Sequence, residues 1–185
     1  MLFNEQKTAQ MAVYFLKQQG GKMNKLKLMK LLYLAERESL LRHGMSMTGD
    51  YVVSMDHGMV LSKTLDLARE TAIDAHQDGW YAMIARNGQY DLELTSSSHD
   101  TELDELSQAD RGILKDIWDR FGHMDQWTIR NHTHTLPEWK NPHGTSISVP
   151  PKELLKILGY SENEAEKLSK QREKEEMVDE TFQSL

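Results

Sequence analysis

From Leu28 to Ala35 the chain reads LMKLLYLA, and Lys30 is the only polar residue in the run. A helix that is apolar on every side cannot rest on a surface, so other elements must pack around it. Asn24 is suited to cap its start and Gly44 to end it. Leu26, Met29 and Tyr33 form one stripe, with Leu28, Leu32 and Ala35 beside it. Lys25, Lys27 and Lys30 fall toward one side of the first turns and read as a solvated rim, with a contact for phosphate or an acidic protein as the sharper alternative.

The remaining elements must wrap this spine. Ala9, Val13 and Leu16 predict a helix over 5–19, stopped by Gly20-Gly21. An extended stretch at 51–54, a turn at His57-Gly58 and a helix from Ser62 follow. Asn87-Gly88 predicts a hairpin with a two-residue turn, which needs the 51–54 stretch or a helix to support it. Ser107 and Asp110 cap a helix with an Ile113, Leu114, Ile117, Trp118 and Phe121 face. Asp125 caps a short helix over QWTIRNH, and Pro150-Pro151 opens one that stops at Gly159. Ser161 and Glu164 then start a charged helix. Its apolar positions, Ala165, Leu168, Met177, Val178 and Phe182, are too sparse for a core face and suit a tail that orders on a partner. The expected fold is mainly α with a small antiparallel β-sheet or hairpin (α+β). Residues 1–158 form the domain and 159–185 a charged helical tail.

The net charge is −7, distributed as +5 over residues 1–44, −8 over 45–160 and −4 over 161–185. An acidic body attracts cationic partners, and the basic first segment leaves nucleic acid as a minor alternative. With no cysteine, disulfides and thiolate zinc sites are excluded. No basic stretch followed by an apolar run opens the chain. Nothing approaches the roughly 18 apolar residues of a membrane span. A soluble cytoplasmic protein is expected.

HTHTLPEWKNPHG, residues 132–144, is the segment most suggestive of chemistry. His123, His132, His134 and His143 could serve a metal-dependent hydrolase. Yet His132 and His134 end a predicted helix, where residues two apart diverge, and no HExxH accompanies them. The chain has no Gly-x-Ser-x-Gly elbow and no phosphate loop, and Ser96-Ser97-Ser98-His99 lies in a polar stretch. No catalytic residue, cofactor or metal is expected. The segment reads instead as structural, its proline setting a rigid turn that drives a tryptophan onto the body.

These residues resemble the Panacea domain, the SocA-like antitoxin family found in phage-associated proteins. Lys27, Leu28, Lys30, Leu31, Leu32 and Tyr33 match its Lys-Leu-x-Lys-Leu-Leu-Tyr helix. His57-Gly58-Met59-Val60 stands at its aromatic-Gly-Pro-Val turn, with His and Met replacing the aromatic residue and the proline. Phe121-Gly122, Thr133-His134, Pro137 and Trp139 match its C-terminal half, although Glu138 separates the proline from the tryptophan. The likeness spans roughly residues 5–158. It implies a non-enzymatic antitoxin of a type II toxin–antitoxin system that binds a cognate protein toxin encoded by the adjacent gene. Contact with a protease or chaperone is a further expectation, with no membrane partner. It places Tyr51, His57, Gly58, His134, Pro137 and Trp139 as partner-contacting residues. Two alternatives stay open: the metal-dependent hydrolase, and a DNA-binding regulator using Lys22, Lys25, Lys27 and Lys30. The second is disfavoured because its helix is too apolar to lie in a groove.

Overall fold

The computed structural model of the chain describes residues 2–69 and 79–183. Among these residues it is a mainly helical α+β fold with two small antiparallel sheets of three strands each. Helix α1 (Glu5–Gln18) begins where the Asn4 side chain accepts the Lys7 N–H at 2.8 Å, and it buries Ala9, Val13 and Leu16 as its periodicity requires. Strand β1 (Lys22–Asn24) leads directly into α2 (Lys25–His43), capped by Asn24 and ended by Gly44 in the left-handed conformation. Every residue from Lys27 to Glu36 is buried. The spine is therefore the centre of the fold, with α1, α5 (Gln108–Phe121), α6 (Gln126–His134) and β3 (Gly58–Leu61) packed around it.

One sheet has the order β3-β2-β6, with β2 at Val52–Met55 and β6 at Ser146–Ser148. Val53 faces Val60 on one side and Ser148 on the other. The other sheet has the order β1-β5-β4, with β4 at Ile84–Asn87 and β5 at Asp91–Leu94. The Asn87-Gly88 hairpin thus gains its third strand from β1 rather than from residues 51–54. Its connection is one residue longer than expected: Asn87 pairs with Asp91 across Gly88, Gln89 and Tyr90. Trp80–Met83, which looks extended in the sequence, forms the short helix α4, burying Trp80.

Helix α3 (Ser62–Arg69) takes its cap from a distant residue. Asp50, fully buried, accepts the Lys63 and Thr64 N–H groups at 3.0 and 2.8 Å and the Thr64 hydroxyl at 2.7 Å. These bonds satisfy donors that a helix start otherwise leaves open.

Helix α7 (Pro151–Ile157) precedes α8 (Glu162–Gln183). The first turns of α8 dock on the body: Ala165 is buried, Leu168 packs on the core, and Arg172 donates to the Gly49 and Asp50 carbonyls, each at 3.1 Å. Lys152 of α7 pairs with Glu162 at 2.8 Å and with Glu166. Beyond them Met177 and Val178 are exposed, and the Phe182 side chain lies outside the described residues. No helix among the described residues is long and apolar enough to cross a membrane.

Candidate functional site

The polar residues of α2 are tethers. Lys27, Lys30, Glu36 and Glu38 are all buried within an otherwise apolar helix, and burying charge without partners costs several kcal/mol or more. Each has a partner from a different segment. Lys27 donates to the Gly122 carbonyl after α5 at 2.7 Å. Lys30 donates to the Met59 carbonyl of β3 at 2.8 Å. Glu36 accepts the Met47 and Thr48 N–H groups and the Thr48 hydroxyl, each at 3.0 Å. Glu38 pairs with Arg42 and, from α5, with Arg120. The solvated rim expected for Lys27 and Lys30 is therefore corrected: α2 is packed on all sides where these two lysines stand, so both are buried.

The next turn of α2 holds the histidine-rich segment. Glu138, 1% exposed, accepts the Tyr33 hydroxyl at 2.5 Å and the Arg37 Nε–H at 2.5 Å. Burial, together with the adjacent Glu138 carboxylate, raises the Tyr33 phenol well above its ordinary value, so it remains a proton donor. Trp139 follows and donates its indole N–H to the Met55 carbonyl at 3.1 Å. Lys140 and Ser54 bond reciprocally: the Ser54 hydroxyl accepts the Lys140 N–H at 3.1 Å and donates to its carbonyl at 2.6 Å. Residues 138–140 thus clasp α2 to the β2–β3 hairpin.

At that hairpin tip the backbone of Gly58 lies against the end of α6. A β-carbon there would press into the Thr133 hydroxyl and lie 3.1 Å from His134 Cδ2 and 3.3 Å from Lys30 Nζ. His134 stacks on Trp139 with ring centroids 4.2 Å apart. The structure thus brings His57, Gly58, His134 and Trp139 together, with exposed Pro137 on the same loop. Tyr51 is separate, at the other end of β2, 49% exposed, with Lys63 and Arg172 against its ring.

The four histidines do not converge. His132 packs on Phe121 with centroids 4.9 Å apart, His134 on Trp139, while His123 and His143 are exposed. Among the described residues no group of three His, Cys, Asp or Glu is placed to hold a metal ion. A helix C-terminus favours a charged imidazole, but at His134 burial, followed by Arg130 and Lys30, lowers the pKa below its ordinary value.

Lys30 gives a pH-dependent prediction. Burial, with Arg130 as the lesser cause, pushes its amine down to about 7. Between that value and the ordinary amine range the unfolded chain holds the proton and the folded chain does not, so stability rises with pH across this window. Lys30→Met removes that dependence at the cost of one hydrogen bond. Its stability relative to the parent is expected to fall by roughly 2 kcal/mol from about pH 6 to about pH 9. Urea denaturation of both proteins at the two pH values checks this; a difference independent of pH contradicts it.

Sequence reasoning missed Glu138, Glu36 and Asp50 as organising residues. Glu138 stood out only as an interruption between proline and tryptophan, yet its carboxylate holds the loop to α2. The available signal lay in α2 itself, since a polar residue in a helix apolar on all sides must have a partner.

Residues 28–140 match the family described as antitoxin SocA-like, Panacea domain. Comparison with curated proteins and with solved structures returns no match. The matched span contains α2 from Leu28 onward, the β2–β3 hairpin, α5, α6 and the Glu138–Trp139 clasp, and it covers more than half of the chain. The chain belongs to the SocA-like antitoxin family, as a Panacea domain protein.

Proposed function

We propose that this protein is the antitoxin of a type II toxin–antitoxin system, neutralising a cognate protein toxin by direct binding and without chemistry of its own. Family membership over residues 28–140 is the observation that carries this reading. The divergent histidines support it over a metal-dependent hydrolase, and the burial of Lys27 and Lys30 supports it over DNA binding. Tyr51, His57 and Pro137 offer exposed contact surface, whereas Gly58, His134 and Trp139 fix its shape. Residues 1–158 act as the binding domain, and the charged tail at 159–185 extends the surface through the exposed end of α8. The toxin is the product of the adjacent gene, and a protease or chaperone contact would act on the bound pair in the cytoplasm.

The test is expression of the adjacent gene alone and together with this chain. Growth arrest in the first case, rescue in the second and co-purification of the two products are the expected results. An adjacent product that is harmless alone, or toxic and not rescued, refutes the proposal.

A further inference from the structure

An open groove of about 810 Å³ runs from the first turn of α2 to the β2–β3 tip, the β4–β5 turn and the start of α6. Its floor is aliphatic, built from Leu26, Met29, Val60 and Leu65. Its rim is cationic: Lys25, Arg69 and Arg86 come from α2, α3 and β4. Among the described residues that line it, Asp56 is the only carboxylate, and it accepts the Gly144 N–H at 3.1 Å. Arg86 donates to the Arg69 carbonyl at 3.0 Å. None of the three cations forms an ion pair among the described residues.

Burial and then the neighbouring Arg86 and Arg69 hold the Lys25 amine below its ordinary value, as like charges gathered without an anion do. In a chain of net charge −7 this is a local inversion of the surface. Exposed cations around an apolar trough complement an amphipathic segment of opposite sign. A nucleic acid would need stacking platforms along the groove. Here the floor is aliphatic; two exposed rings, Tyr90 and Trp127, also line the groove, one from the β4–β5 turn and one from the first turn of α6, so competition by an oligonucleotide is an outcome of the test below.

We propose that this groove docks an acidic amphipathic segment of the protein partner. The segment's apolar side chains rest on the Leu26–Met29–Val60–Leu65 floor, and its carboxylates meet Lys25, Arg69 and Arg86. The proposal rests on the reading of the chain as a protein-binding antitoxin. The acidic body attracts a basic partner at long range, while the groove fixes its register through one acidic stretch.

Fluorescence anisotropy with three labelled probes tests it: a peptide of Leu and Glu at helical spacing, its Leu/Lys counterpart, and a thymidine oligonucleotide. The acidic peptide is expected to bind and the basic one to fail. Lys25→Glu combined with Arg86→Glu should weaken acidic-peptide binding by about tenfold or more, and added salt should weaken it in the parent. Lys115→Glu, on an exposed face of α5, is the control that leaves binding unchanged. Circular dichroism confirms that the variants fold. An acidic peptide that does not bind, that binds the doubly reversed variant equally well, or that is outcompeted by the oligonucleotide overturns the proposal.

Capture of the adjacent gene's product separates this proposal from the antitoxin reading. Capture by the parent but not by the doubly reversed variant supports both. Capture unaffected by the reversal overturns the groove and leaves the antitoxin reading standing. Failure of the parent to capture counts against the antitoxin reading, and the peptide titration then decides the groove.

Discussion

Glu138→Ala is expected to lower the free energy of unfolding by about 3–5 kcal/mol, the usual cost of removing one partner from a buried ion pair. The carboxylate is 1% exposed and serves two donors on α2. Without it the Tyr33 hydroxyl, wholly buried, has no acceptor. The Arg37 guanidinium loses its counter-charge with its side chain only 19% exposed. Truncation also leaves a void under the loop, which adds to the electrostatic loss. Glu138→Gln keeps an acceptor for Tyr33 and should cost less, on the order of 1–2 kcal/mol. Arg37→Met made in the Glu138→Ala background should cost clearly less than in the parent, because the two side chains act on each other. Urea titration followed by tryptophan fluorescence reads the parent and all four variants. A Glu138→Ala protein within about 0.5 kcal/mol of the parent, the range of an ordinary surface change, contradicts the clasp.

Gly58→Ala is the second large effect, expected at about 3 kcal/mol from two sources. The backbone there has φ +86°, where a side chain adds strain of about 1–2 kcal/mol. The added methyl would also press into Thr133, which is fully buried at the end of α6 and cannot turn aside. Relief requires moving α6 away from the β2–β3 tip, which disturbs the Lys30–Met59 bond and the His134–Trp139 stack. Gly88→Ala separates the two contributions. Its φ is +67° and no atom lies within 4 Å of the added carbon, so only the backbone strain of about 1–2 kcal/mol remains. Equal losses at the two glycines would show that the packing of Gly58 against α6 contributes nothing.

The chain declares its apolar framework openly and conceals its polar one. Leu28–Ala35 is legible as a spine because hydrophobicity on all sides has one structural solution. The caps at Asn24, Ser107 and Asp125 are legible because capping is local chemistry. The Asn87-Gly88 hairpin was placed, but its third strand, β1, was not: three residues between a Gly pair and a helix carry no alternation to detect. Strand β6 is hidden for the same reason, since Ser146, Ile147 and Ser148 are all exposed.

The candidate site residues divide along the same line. His57, Gly58, His134 and Trp139 came from the family motif, and the structure brings them to one junction. Asp50 acts on the start of α3 from 13 and 14 residues away, and Glu138 on Tyr33 and Arg37 from 105 and 101. No periodicity reports a partner a hundred residues away. Lys30 was misjudged because a lysine is counted as surface until its helix is known to have no surface.

Native-state hydrogen exchange at the backbone N–H groups of Trp139 and Lys140 reaches the central issue, whether residues 132–144 are a fixed clasp on α2 presenting a preformed surface. These groups bond to the Leu136 carbonyl and the Ser54 hydroxyl, at 3.0 and 3.1 Å. If the clasp holds, both exchange with opening free energies close to those of core amides such as Leu32, and Glu138→Ala releases both. Exchange at the rate of an exposed loop while α2 stays protected, or slowing of that exchange by added zinc, would mean that the histidine-rich segment is a loose or metal-ordered loop instead.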